Sequence, residues 1–131
     1  MNKLEKNEME INGKIYVEKD SIKLPTKMAT EYKKLPFVII RSYAAGVHFG
    51  YLKSEKFTTS GKVVFLVKTR RVWYWDGAAS ISQMAIDGVN KPENCKIAME
   101  LESNEIVNVI ETIPCTEKAM LNLQNLAIWK N

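Results

Sequence analysis

Histidine is nearly missing from this chain: His48 is the only one in 131 residues. Cysteine is scarce as well, with Cys95 and Cys115 alone and no C-x-x-C spacing. Zinc and its relatives are held by His and Cys sets at short spacings, so no metal site is expected. In a reducing cytosol two distant cysteines read as packing or surface thiols and not as a disulfide. No base stands near either one to make a thiolate nucleophile. A Ser/His/Asp arrangement would have to use His48, and a lone histidine in a strand-like run reads as a packed or surface residue and not as a general base. Glu100 and Glu102 share a strand face with nothing to activate. Neither G-x-G-x-x-G nor a phosphate loop occurs. Catalytic residues and cofactors are therefore not expected, and the chain is not read as an enzyme.

Long apolar runs are also missing. Nothing approaches the roughly 18 residues that cross a bilayer, so neither a span nor a membrane partner is expected. The start, "MNKLEKNEMEINGK", is polar and lacks the apolar stretch of a secretory signal. The expected location is a cytoplasm. No internal repeat or low-complexity tract interrupts the chain.

What is present is an ordinary globular mixture, 46% apolar and 26% charged, sized for one domain. So small a domain gains from oligomerisation, which buries more surface. The net charge of +4 is slight, but it is unevenly spread. Residues 1–36 carry eight basic and six acidic residues, residues 37–75 seven basic and one acidic, and residues 76–131 four basic and eight acidic. The middle segment also holds nine of the twelve Phe, Trp and Tyr residues. Cations interleaved with rings make up surfaces that hold phosphates and stack on bases. The alternative is that strands are rich in aromatics and lysines solvate their outer faces.

Along the chain, "MEINGKIYVEKD" (9–20) alternates around Asn12-Gly13, a hairpin signal. With the proline-bearing linker after it, it forms an N-terminal arm over 1–35, ahead of a main domain over 36–131. Strands are expected over 37–43 and 47–54, joined by a short turn in which Gly46 supplies the left-handed residue. A turn follows over 55–62. "VVFLVK" (63–68) reads as a buried strand and "RVWYW" (71–75) as another. Ser80 and Gln83 form a capping box opening a helix that closes at Gly88. Strands are expected over 95–102 and 105–114. Thr116 caps a last helix with Ala119, Met120 and Leu123 inward, and "LAIW" reads as an edge strand. The expected class is α+β: a strongly bent antiparallel sheet or small barrel of about six strands, with two short helices.

The stretch "TRRVWYWDGAAS" (69–80) concentrates the binding chemistry. Arg71, Trp73 and Trp75 alternate onto one side of a strand, with Arg70 beside them. A guanidinium takes phosphate oxygens bidentately, and an indole offers a face to a base. The helix start at Ser80 presents free N–H groups. Arg41 and Tyr43 make a second basic-aromatic pair. These seven are the candidate ligand-binding residues; the competing reading puts the tryptophans in the core.

The stretches "VIIRSYAAGVHFGYL", "RRVWYWDGAASISQMAIDGV" and "VIETIPCTEKA" resemble a family of small proteins of tailed phages and prophages, over about residues 36–120. That family includes or resembles the phage Thoeris anti-defence sponges. The resemblance implies a homo-oligomer, dimer or higher, in a host cytoplasm, that sequesters a cyclic ADP-ribose isomer without cleaving it. The expected partner is thus a small phosphate-bearing nucleotide. A single-stranded nucleic-acid binder, and a protein–protein inhibitor or minor structural phage protein, remain as alternatives.

Overall fold

The computed structural model describes residues 32–130. The expected N-terminal hairpin and most of its linker lie outside these residues. Strand β1 (Phe37–Ser42) and strand β2 (Gly46–Thr58) form the expected hairpin, with Gly46 at φ +82. Ser42 ties the turn down: its Oγ accepts from Ala45 N at 3.0 Å and donates to the Val107 carbonyl at 2.8 Å. Strand β2 runs on to Thr58, through part of the expected turn, and a tight reversal leads into strand β3 (Gly61–Tyr74). The two strands expected over 63–68 and 71–75 are one. Helix α1 (Ile81–Asp87) follows, then a 3₁₀ turn (Pro92–Asn94), the short strand β4 (Lys96–Ile97), the long strand β5 (Leu101–Pro114) and helix α2 (Glu117–Gln124).

The architecture is α+β, with five antiparallel strands in a bent sheet where about six were expected, and two helices. The order is β2-β1-β5-β3-β4, and β2 also pairs with β3. The ladder therefore returns on itself: β5 spends its first half on β3 and its second half on β1. Register shifts at several points let long strands bend enough to do this, since each extra residue kinks and twists its strand.

Apolar residues on the two strand faces build two clusters. The larger joins Phe37, Ile39, Phe49 and Tyr51 to Met84 and Ala85 of α1 and to Ala119, Met120 and Leu123 of α2. The smaller collects Val38, Ile40, Val64, Leu66, Ile106 and Val109 from the opposite face. Each Val, Leu, Ile, Phe or Met side chain taken out of water here contributes about 1.5–3 kcal/mol. Both helices start as their sequences dictate. Ser80 Oγ accepts from Gln83 N at 3.1 Å, and Thr116 Oγ1 from Ala119 N at 3.1 Å. Cys115 lies in the larger cluster, and burial pushes its thiol up to about 12. The expected edge strand at "LAIW" is a single parallel bridge, Ile97 to Ile128.

Candidate functional site

One backbone irregularity decides which residues of "TRRVWYW" meet solvent. Lys68 sits at φ +50, and opposite it the β2 partner moves from Phe49 to Tyr51 while β3 moves from Arg70 to Val67. Strand β3 thus carries one extra residue, and an extra residue inverts the facing of everything beyond it. Strict alternation from Val67, which faces the helices, would turn Thr69 and Arg71 inward. The bulge turns Arg70 and Val72 inward instead, opposite Phe49 and Val47. Gly50 makes room for it: a Cβ there would stand 2.8 Å from Thr69 Cβ.

Arg70 is consequently buried, and its guanidinium is used up by main-chain carbonyls. Nε donates to Ala98 O at 2.6 Å, Nη1 to Leu126 O at 2.8 Å, and Nη2 to Ile97 O at 3.3 Å and Ala127 O at 3.4 Å. Burial lowers its pKa, with Glu100 opposing, yet a guanidinium stays charged in a protein. Its placement removes it from the ligand set: the side chain is 4% exposed and four of its five N–H donors are spent on carbonyls, so its role is structural.

The remaining candidates divide. Trp75 lies past the end of β3, half-buried against the larger cluster, with Nε1 donating to Ala78 O at 3.2 Å. It does not share a side with Arg71 and Trp73, because the strand bulges again at Trp73, between Val72 and Tyr74. Trp73 is 66% exposed and stacks on Trp129, with ring centroids 6.1 Å apart and planes 14° apart. Arg41 is exposed and bound to Glu111, Nε to Oε1 at 3.0 Å. It lines up with Val47 and Val72, on the sheet face opposite Arg71, since directly paired residues share a face. Tyr43 is an exposed side chain of the β1–β2 turn. The Ser80 hydroxyl caps α1, and the Ala79 N–H is taken by Gln83 Oε1 at 2.9 Å. Arg71 and Trp73 are thus both exposed, two residues apart on β3, and the structure does not gather Arg41, Tyr43, Arg70, Trp75 or Ser80 around them.

Around Arg71 the chain forms a half-open cleft of ≈ 250 Å³, lined also by His48, Thr69, Ala98, Met99, Leu101 and Asn104. Arg71 has no carboxylate partner among the described residues. His48 is paired directly across from it and buried. Burial lowers the His48 pKa, the Arg71 charge adds to this, and a hydrogen bond to the Ala45 carbonyl works against it. His48 Nε2 lies 3.0 Å from that carbonyl, so the neutral ring keeps its proton there and leaves Nδ1 as an acceptor. Thr69 donates to Phe49 O at 2.9 Å. The cleft thus offers one free cation, polar groups at its wall and the apolar side chains of Met99 and Leu101. Sequence reasoning did not place His48, Asn104 or Met99 here, because the bulge that assembles them leaves no composition signal.

Residues 35–123 match the model of a protein family described as a domain of unknown function, DUF6948. The chain belongs to that family. No curated protein and no solved structure matches it. The DUF6948 region contains every residue lining the cleft, together with Trp73, and ends before the arm that carries Trp129.

Proposed function

We propose that this protein is a binding module that sequesters, without cleaving, a small phosphate-bearing nucleotide, and that it acts as a phage counter-defence protein on a cyclic ADP-ribose type signal in a host cytoplasm. The observation that carries the ligand class is the pairing of Arg71, a solvent-facing guanidinium free of carboxylates among the described residues, with the exposed indole of Trp73 two residues further on. At the strand rise of about 3.3 Å per residue, the two side chains stand within the span of one nucleotide. The guanidinium takes the phosphate and the indole takes the base. The counter-defence role rests on the resemblance to the phage sponges.

The cleft volume of ≈ 250 Å³ falls short of the 300–1,000 Å³ or so of sites that enclose ligands. The reading accordingly has the phosphate end in the cleft and the base outside it, and a second copy of the chain completing the enclosure. The test is a calorimetric panel of cyclic nucleotides and ADP-ribose isomers, followed by heating and mass analysis of what is released. Intact ligand supports sequestration. A cleaved product, or no binding across the panel with steep salt-dependent binding of long oligonucleotides, overturns it.

A further inference from the structure

The exposed indole pair joins Trp73, a candidate read from the sequence and inside the DUF6948 match, to Trp129, which lies beyond that match and outside those candidates. Trp73 is 66% exposed and Trp129 is 44% exposed even while they stack on each other. Trp129 arrives on the segment after α2, and three contacts hold that segment against β4. Ile128 bridges Ile97, Trp129 N donates to Ile97 O at 2.9 Å, and Arg70 donates to the Leu126 and Ala127 carbonyls. The same guanidinium grips Ala98 and Ile97 on the β4 side. One buried fork therefore fixes both walls between which Trp129 is laid onto Trp73.

We infer that Trp73 and Trp129 form a two-ring stacking platform for the base of a nucleotide, and that Arg70 is the positioning residue that holds Trp129 in it. This rests on the reading that the ligand is a phosphate-bearing nucleotide. The occupant follows from charge. Lys96 Nζ stands 5.4 Å from the Trp129 ring centre, Arg71 precedes Trp73 on its strand, and neither cation has a carboxylate partner among the described residues. A second copy meeting this patch face to face would set like charges against each other. A planar ring carrying negative charge satisfies both the indoles and the cations.

The test uses the full chain and adenosine monophosphate, followed by tryptophan fluorescence, with adenosine and inorganic phosphate as separate arms. The stacked indoles, 6.1 Å apart, are also expected to couple and give an exciton circular dichroism signal of their own. Adenosine monophosphate is expected to quench the wild-type fluorescence, and Trp129→Ala to weaken its binding roughly tenfold. Arg70→Lys keeps the charge but loses the fork. It is expected to lose the exciton signal and weaken binding to a similar extent while still melting cooperatively. If Arg70→Lys does not fold, Trp129→Ala decides alone, since its side chain is at the surface. Wild-type affinity in Trp129→Ala overturns the platform and leaves the Arg71 reading standing. So does inorganic phosphate binding as tightly as adenosine monophosphate. Self-association that is abolished by Trp129→Ala, without nucleotide binding, overturns the platform in favour of a contact between copies. Absence of adenosine monophosphate binding by the wild type overturns the platform, and absence of binding across the cyclic nucleotide and ADP-ribose panel overturns both readings.

Discussion

Arg70 and Arg71 are neighbours in the chain, yet they serve opposite faces of one strand. Arg70 is buried against four carbonyls, while Arg71 is exposed at a cleft. Alternation sets the two apart, and the extra residue at Lys68 decides that Arg70 is the one turned inward. The two substitutions should therefore fail in different ways. Arg70→Ala leaves buried carbonyls unpaired and is expected to destabilise the fold by about 3 kcal/mol. Arg71→Ala is expected to stay within about 0.5 kcal/mol of the wild type and to lose ligand binding. Urea unfolding of both variants, beside a binding titration of Arg71→Ala, checks the pair.

The tryptophans divide in the same way. Trp75 packs on the larger cluster and donates to Ala78 O, so Trp75→Ala is expected to cost about 3 kcal/mol through the space it leaves. Trp73→Ala removes an exposed ring and should melt close to the wild type while binding nucleotide weakly. Equal melting losses in the two variants would contradict the placement of Trp73.

Much of this fold is legible in the sequence because it rests on local chemistry. Ser80 and Thr116 cap the helices they were expected to cap, and Gly46 takes the left-handed turn position. The face of Arg70 was not legible. Alternation assigns facing only while the register is unbroken, and a lysine at positive φ is not a residue type that announces a bulge. The two strands expected on either side of this break are one, β3, because pairing with β2 continues through it. Trp129 was missed for a different reason: its position depends on bonds from Arg70 to carbonyls 56 and 57 residues away, and no local pattern encodes them. Arg41 and Tyr43 shared a plausible composition with Arg71, but strand pairing sets Arg41 on the other face of the sheet.

Gly50 tests the bulge directly. A Cβ at that position meets Thr69 Cβ at 2.8 Å and Thr69 Cα at 2.9 Å, and the backbone atom cannot swing aside. Gly50→Ala is expected to cost about 1–3 kcal/mol and to weaken ligand binding as well, because Thr69 and Arg71 share the cleft. Chemical denaturation and the same binding titration read the two effects together.

His48 gives the fold a pH signature. Burial, with Arg71 adding to it, holds the folded-state pKa below the ordinary 6.5. The unfolded chain therefore binds more protons than the folded one in the window between the two values, and stability rises with pH there. Above 6.5 the effect is absent. As pH falls through 6.5 the folded state loses ground until its own lowered pKa is reached. His48→Gln removes this titration, so its stability should fall less steeply than the wild type's across that window. Parallel slopes in the two proteins would show that His48 is not held neutral.

The central claim is that the Arg71–Trp73 face binds a phosphate-bearing nucleotide and returns it unchanged. Isothermal titration of the wild type and Arg71→Ala with a cyclic ADP-ribose isomer, followed by heat release and mass analysis of the ligand, tests it most directly. The account expects saturable binding by the wild type, none by Arg71→Ala, and recovery of intact ligand. Unchanged affinity in Arg71→Ala, or recovery of a hydrolysed product, would contradict it.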